Sequence, residues 1–185
     1  MGQRIAISGS AGVGKSTLAA ALAGKLGLPY IPEGMREYLV SGAPGLHALS
    51  RAGLRDLLLR LWSERLEREA AAPNGFVADR SSYDFAAFWL FYGFAEAEDP
   101  VTDAYLRAAM DPARYDIVAL LPFGVIPLVD DGVRSTNPWR QLHTHLLIEG
   151  MVARCALRTC SIAAQSVDAR VDELLGVLAG RVRLD

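Results

Sequence analysis

Gly9-Ser10-Ala11-Gly12-Val13-Gly14-Lys15-Ser16, followed by Thr17, decides the fold of this chain. The stretch fits G-x-x-x-x-G-K-[ST] at every fixed position. It lies between a short apolar run, Ile5-Ala6-Ile7, and a helix pattern. Strand, glycine loop and helix in that order form a phosphate-binding loop. The glycines let the backbone turn tightly, so that several N–H groups face the phosphate oxygens. The helix that follows adds the positive end of its dipole. Lys15 is placed to reach the β- and γ-phosphates, and the Ser16 hydroxyl to ligate Mg²⁺.

Beyond the loop, short apolar strands alternate with helices. The first helix is predicted from Lys15 to Leu26, with Leu18, Leu22 and Leu26 on one face and Gly27 as its stop. A short strand at Tyr30-Ile31 precedes a segment, residues 33–41, that is helical in part. Leu54, Leu57, Leu58 and Leu61 recur at helical spacing in an amphipathic helix reaching to Ala71, where Arg51, Arg55 and Arg60 solubilise the outer face. After the turn Pro73-Asn74-Gly75, Phe76-Val77-Ala78 reads as a buried strand ending at Asp79. Phe85, Phe88, Trp89, Phe91, Tyr92 and Phe94 then crowd a helix that is apolar all round and so should be mostly core. Further strands are expected at residues 117–121 and 158–163, and a further helix at 138–153. Ser166 should cap a last helix with Val171, Leu174, Leu175 and Leu178 inward. Residues 122–137 are loop-like, and 95–116 receive no assignment.

This alternation predicts an α/β fold: a central parallel sheet of about five strands, with helices on both faces, in a three-layer α/β/α sandwich. The 185 residues suit a single domain, 1–185. Ligands in such sheets sit at the carboxyl ends of the strands, so the residues just past each strand carry the chemistry.

Composition narrows the partners. A net charge of −2 gives no basic excess for a nucleic-acid polymer. The uncharged runs are interrupted by prolines and fall short of the roughly 20 residues a membrane span needs. Cys155 and Cys160 match no metal spacing and read as free thiols of a reducing, cytoplasmic setting. The phosphate loop begins at residue 9, which leaves no room for a signal peptide. Lys15 and Lys25 are the only lysines. A chain that otherwise uses Arg keeps Lys where a compact ammonium on a flexible stem is needed.

A phosphate loop gives nucleotide binding without specifying the reaction. No Asn-Lys-x-Asp element is present to read guanine, which makes ATP the expected donor. Where GTP switches carry Asp-x-x-Gly, this chain has Asp79-Arg80-Ser81-Ser82. An Arg beside the acid suits charge stabilisation at a transferring phosphoryl group or binding of an acceptor.

With Pro32-Glu33-Gly34-Met35-Arg36-Glu37 after the second strand and Asp79-Arg80-Ser81 after the third, the chain resembles the small P-loop kinases. The acid-Arg element is similar to that of deoxynucleoside kinases and thymidylate kinase. The Glu-x-x-Arg-Glu segment is similar to the nicotinamide riboside kinase domain and its AAA-type relatives. The resemblance implies a P-loop NTPase fold with a lid, here about residues 122–150. It implies an ATP- and Mg²⁺-dependent kinase acting on a small-molecule acceptor: a nucleoside, a nucleotide or a nucleoside-like metabolite. Residues 9–17 would hold the nucleotide, and Ser16 and Asp79 the metal. Lys15, Glu33, Asp79, Arg80 and Arg134 would be catalytic, with Glu33 as base and Arg134, or Arg140, as the lid arginine. Glu33, Arg36, Arg80, Tyr83 and Phe85 would meet the acceptor.

The bland readings are an N-terminal helix acid for Glu33, a surface pair for Arg36 and Glu37, and plain core for the aromatic run. An acceptor that already carries phosphate would need at least two converging arginines, whereas a hydroxyl acceptor needs one carboxylate. The competing class is an ATP-binding regulatory or interaction module with slow ATPase activity. The aromatic-rich helix could also support a homodimer.

Overall fold

β1 (Arg4–Ser8) lies at the centre of a five-stranded, wholly parallel sheet in the order β2-β3-β1-β4-β5. The others are β2 (Tyr30–Ile31), β3 (Phe76–Asp79), β4 (Ile117–Leu120) and β5 (Thr159–Ser161). The structure, a computed structural model, describes residues 3–42, 45–96, 99–127 and 137–181. Arg134 and the middle of the expected lid lie outside them.

Along β1, side chains alternate between the two faces. Ile5 and Ile7 join Leu18 and Leu22 of α1 (Lys15–Leu26) and Leu174 of α7 (Val167–Leu178) in one buried cluster. Ala6 faces the opposite cluster, where Tyr83 of α4 (Ser82–Phe91) meets Ile148 and Val152 of α6 (Pro138–Cys155). The small residues Ala6 and Ala78 let α4 lie close to the sheet. A third cluster joins Leu57, Leu58, Leu61 and Trp62 of α3 (Arg51–Ala70) to Phe85 and Trp89 of α4 and Tyr105 of α5 (Pro100–Ala109). These layers are the expected P-loop NTPase α/β/α sandwich.

The first helix and second strand fall at the predicted residues. Gly27, at φ 64°, stops α1 as a left-handed cap. Ser166 caps α7 by accepting the N–H of Ala169. The short α2 (Met35–Val40) begins after Gly34. The aromatic helix ends at Phe91, before Gly93 at φ 71°, and Phe94 sits in the 3-10 turn beyond it.

α5 has no counterpart in the sequence analysis. Asp99 caps it by accepting the N–H groups of Val101 and Thr102, and Pro100 occupies its first turn. Within the aromatic run, Trp89 stacks on Tyr105 at 4.2 Å, and Phe85 meets Trp62 at 5.6 Å. Arg51 and Arg55 do more than solubilise. Arg51 bonds the carbonyls of Tyr92 and Gly93, and Arg55 grips Asp99 at 2.8 Å. Among the described residues, no helix is long and apolar enough to cross a membrane.

Candidate active site

Four segments meet at the carboxyl edge of the sheet. The first is the loop from β1 to α1. Gly9, Gly12 and Gly14 have φ of 139°, 82° and 85°, a region that L side chains rarely enter. A Cβ at Gly9 would stand 2.8 Å from the Leu121 carbonyl oxygen, and one at Gly14 would stand 3.0 Å from a guanidinium nitrogen of Arg170. No side chain caps the start of α1, so its first N–H groups stay available to an anion.

Lys15 is buried, and its ammonium donates to the Ser10 carbonyl at 2.5 Å. Burial first, and then the nearby Arg80 charge, lower its pKa to about 8 against the pull of Asp79, Glu33 and Asp84. The Ser10 hydroxyl is buried without a partner. Val13 is core by its side chain, Ala11 and Ser16 are half-buried, and Thr17 is exposed.

The second segment is the turn from β3 to α4. Asp79 is buried; its Oδ2 accepts a long 3.5 Å bond from the Tyr30 hydroxyl, and its Oδ1 has no partner. Burial and the Asp79 carboxylate together push the Tyr30 phenol up to about 12. Arg80 has φ 73°, the one left-handed non-glycine backbone among the described residues. Its Nε donates to Glu33, its Nη1 donates to the Gly9 carbonyl and to Asp84, both at 3.1 Å, and its guanidinium lies 4.7 Å from the Phe88 ring centroid. Burial opposes the Arg80 charge, but Glu33, Asp84 and Asp79 outweigh it and raise its pKa above the ordinary value.

Sequence reasoning missed Asp84 and Ser8. Asp84 is wholly buried and accepts the Ser8 and Ser81 hydroxyls at 2.6 and 2.7 Å. It also accepts the Ser81 N–H at 3.0 Å and so closes a capping box on α4. The spacing Ser81-x-x-Asp84 before an apolar run was the available signal.

The third segment follows β2. Glu33 is buried and faces a narrow cleft lined by Met35, Leu58, Leu61, Arg80, Phe85 and Phe88 as well. Phe85 and Phe88, three residues apart on α4, share the face that forms one wall.

Two expected acceptor residues are elsewhere. Tyr83 points into the core beneath the sheet, edge-on to Tyr115 at 5.9 Å, with its hydroxyl donating to the Asp111 carbonyl. It lies on a different side of α4 from Phe85, which is why only Phe85 reaches the cleft. Arg36 is exposed on α2 and does not line the cleft, and Glu37 pairs with Arg68 at 3.2 Å instead.

The fourth segment is the β5–α7 turn. Arg170 rises from α7 to donate to the Val13 carbonyl at 2.7 Å and to the Ala164 carbonyl at 2.5 Å. It joins the phosphate loop to this turn. Arg140 is exposed and lies 4.8 Å from the Phe91 ring, at the start of α6.

The donor set fits a nucleotide and a hard cation. A buried carboxylate oxygen without a partner, as at Asp79, is costly unless a cation or its water meets it. Ser16, in the first turn of α1 beside the loop, would offer a hydroxyl to the same ion. Uncapped helix N–H groups, left-handed glycines and the Lys15 ammonium form a cradle for phosphate oxygens.

Comparison with known proteins agrees with this geometry. The family model described as AAA domain matches residues 4–170. A search of curated proteins finds none that matches. Among solved structures, the fold is similar to the NadR protein in complex with NR, at TM-score 0.72 and 17% identity, over 100% of this chain and 53% of that one. It is similar to deoxyadenosine kinase from M. mycoides, at TM-score 0.70 and 18% identity, over 96% and 99% of the two chains. Thymidylate kinase from Candida albicans matches at TM-score 0.70 and 16% identity, over 97% and 92%. The chain thus spans about half the length of the NadR chain and nearly all of the two kinases. At these identities the likeness is one of fold.

Proposed function

Because the chain belongs to the AAA domain family, we propose that it is an ATP- and Mg²⁺-dependent small-molecule kinase whose acceptor offers a hydroxyl and a nucleoside-like ring. The observation that carries this reading is the Glu33–Arg80 pair at the mouth of an apolar cleft beside the phosphate loop. Among the described residues, Arg80 is the only arginine lining the cleft, and Glu33, Asp84 and the Gly9 carbonyl already hold it. Such a wall does not attract a second dianionic phosphate; it admits an uncharged or cationic body and presents one carboxylate to its hydroxyl.

In this reading Lys15 neutralises charge at the terminal phosphates, and Asp79 and Ser16 hold the metal. When bound there, the ion would supply positive charge to offset that of the phosphates. Glu33, fixed in direction by Arg80, orients the acceptor hydroxyl and takes its proton. Arg80 stands between the two substrates and stabilises charge as it is redistributed. Phe85, Phe88, Leu58 and Leu61 exclude water, which would otherwise compete as acceptor.

The test is ADP release from Mg·ATP, with and without a panel of nucleosides, nucleoside-like alcohols and nucleoside monophosphates. Release should depend on a hydroxyl acceptor and vanish in Lys15→Ala. Glu33→Gln should lower kcat by about 10²–10⁴ with nucleotide affinity held. Release that ignores every acceptor would overturn the reading in favour of a plain ATPase.

A further inference from the structure

The turn that carries Asp79 and Arg80 is held from behind, by residues that face neither the cleft nor the phosphate loop. A left-handed non-glycine residue persists only where its surroundings over-determine it. At Arg80 the restraint is a buried guanidinium. Arg65 of α3 donates from Nη1 to the Asp79 carbonyl at 3.1 Å and from Nη2 to the Arg80 carbonyl at 2.5 Å. The carbonyls of both residues therefore end on one rigid fork.

The fork is itself oriented. Its Nε donates to Glu69 at 2.6 Å, and Glu69 also accepts from Arg114 at 2.8 Å and from the Tyr115 hydroxyl at 3.0 Å. The Tyr115 oxygen in turn accepts the Ser82 N–H at 2.8 Å, so the ring of bonds closes on the far side of the same turn. Burying an arginine and a glutamate is a poor way to gain stability alone, since apolar residues of like volume serve as well. What ions add is a fixed geometry.

We propose that Arg65 is a positioning residue: by gripping the carbonyls of Asp79 and Arg80 it fixes the left-handed turn, and so sets where the Asp79 carboxylate and the Arg80 guanidinium stand. The inference rests on the proposed phosphotransfer for its kinetic readout only.

The conformational readout needs no activity. Arg80→Gly and Arg80→Ala both delete the side chain, but only glycine adopts a positive φ without strain. With Arg65 intact, Arg80→Gly should melt above Arg80→Ala. Adding Arg65→Lys should reverse the order, because the alanine turn relaxes and glycine keeps only its larger unfolded-state entropy. Glu69→Gln, which loosens the fork without removing it, repeats the comparison should Arg65→Lys fail to fold. The same order in every background overturns the proposal.

In the kinetic readout, Arg65→Lys should lower acceptor-dependent kcat about 30- to 100-fold. Affinity for Mg·ATP should stay within about threefold of the starting protein. Added to Arg80→Ala, Arg65→Lys should cost less than about threefold more, because the guanidinium it aims is gone. Full additivity, as a general loss of folded protein would give, overturns the proposal. If the unsubstituted protein transfers phosphate to no acceptor, the kinase reading fails while the melting order still decides the role of Arg65.

Discussion

Lys15 carries a full positive charge only at the cost of its own burial. Its pKa, lowered to about 8 by desolvation and by Arg80, contrasts with 10.5 for an ordinary lysine. Below about pH 8 it is protonated both folded and unfolded. Between about 8 and 10.5 the unfolded chain holds the proton that the folded chain gives up, so this residue makes stability rise with pH across that window. A bound polyphosphate does the reverse: it favours the ammonium and draws the proton back. Affinity for Mg·ADP should therefore be flat up to about pH 8 and fall by up to tenfold over the next unit, since one proton is linked to binding. Calorimetry in buffers of different ionisation heat should show net proton uptake near pH 8.5 in the native protein and none in Lys15→Met. The phosphate loop was legible because its motif is local. Arg65 and Asp84 were not legible in the same way. Arg65 meets its turn across 14 and 15 positions, and Asp84 meets Ser8 across 76. Nothing in a one-dimensional pattern says that a mid-helix arginine turns inward. The left-handed Arg80 was equally hidden, because that conformation is imposed by neighbours and not by its own preference.

Elements were read well wherever their signals were local. α1 runs from the loop lysine to a glycine stop, and α7 begins at a serine cap, so chain chemistry alone marks their ends. α5 carried an equally local Asp99-Pro100 start and was passed over because its apolar face is narrow. Tyr83 and Phe85 show the limit of element-level reading. Both open the same helix, yet the sheet lies under one and the cleft beside the other. The link between α7 and the phosphate loop is a further contact that periodicity cannot reveal. Arg170 is fully buried and holds the carbonyls of Val13 and Ala164 with charged hydrogen bonds. Arg170→Met keeps the bulk and strands both carbonyls. It should cost about 2–4 kcal/mol in urea unfolding. Nucleotide affinity should weaken in the same variant, because Gly14 and the start of α1 lose their support. An unchanged unfolding midpoint would show that the clamp adds nothing to the fold.

At the scale of the molecule, the parallel sheet collects at one edge what the sequence scatters between residues 9 and 170. β1 in the centre carries the phosphate loop, β3 beside it carries Asp79 and Arg80, and β2 at the margin carries Glu33. The strand order β2-β3-β1-β4-β5 was not legible, because alternation gives parallel strands without their sequence in space. A site assembled from this many segments couples its ligand to the whole fold, since unfolding any contributor disperses it. Mg·ADP at about 100 times its Kd should then stabilise the protein by about 2.7 kcal/mol. For a chain of this length that corresponds to a rise in Tm of about 5–11 °C. Chelating the metal with EDTA should remove part of the rise and leave the share that Lys15 and the loop N–H groups provide. Asp79→Asn should lose the EDTA-sensitive part alone, because the buried Oδ1 without a protein partner is the group matched to the ion. If EDTA lowers Tm equally in Asp79→Asn and in the native protein, the metal is held by other residues and the pairing of Asp79 with Ser16 is wrong.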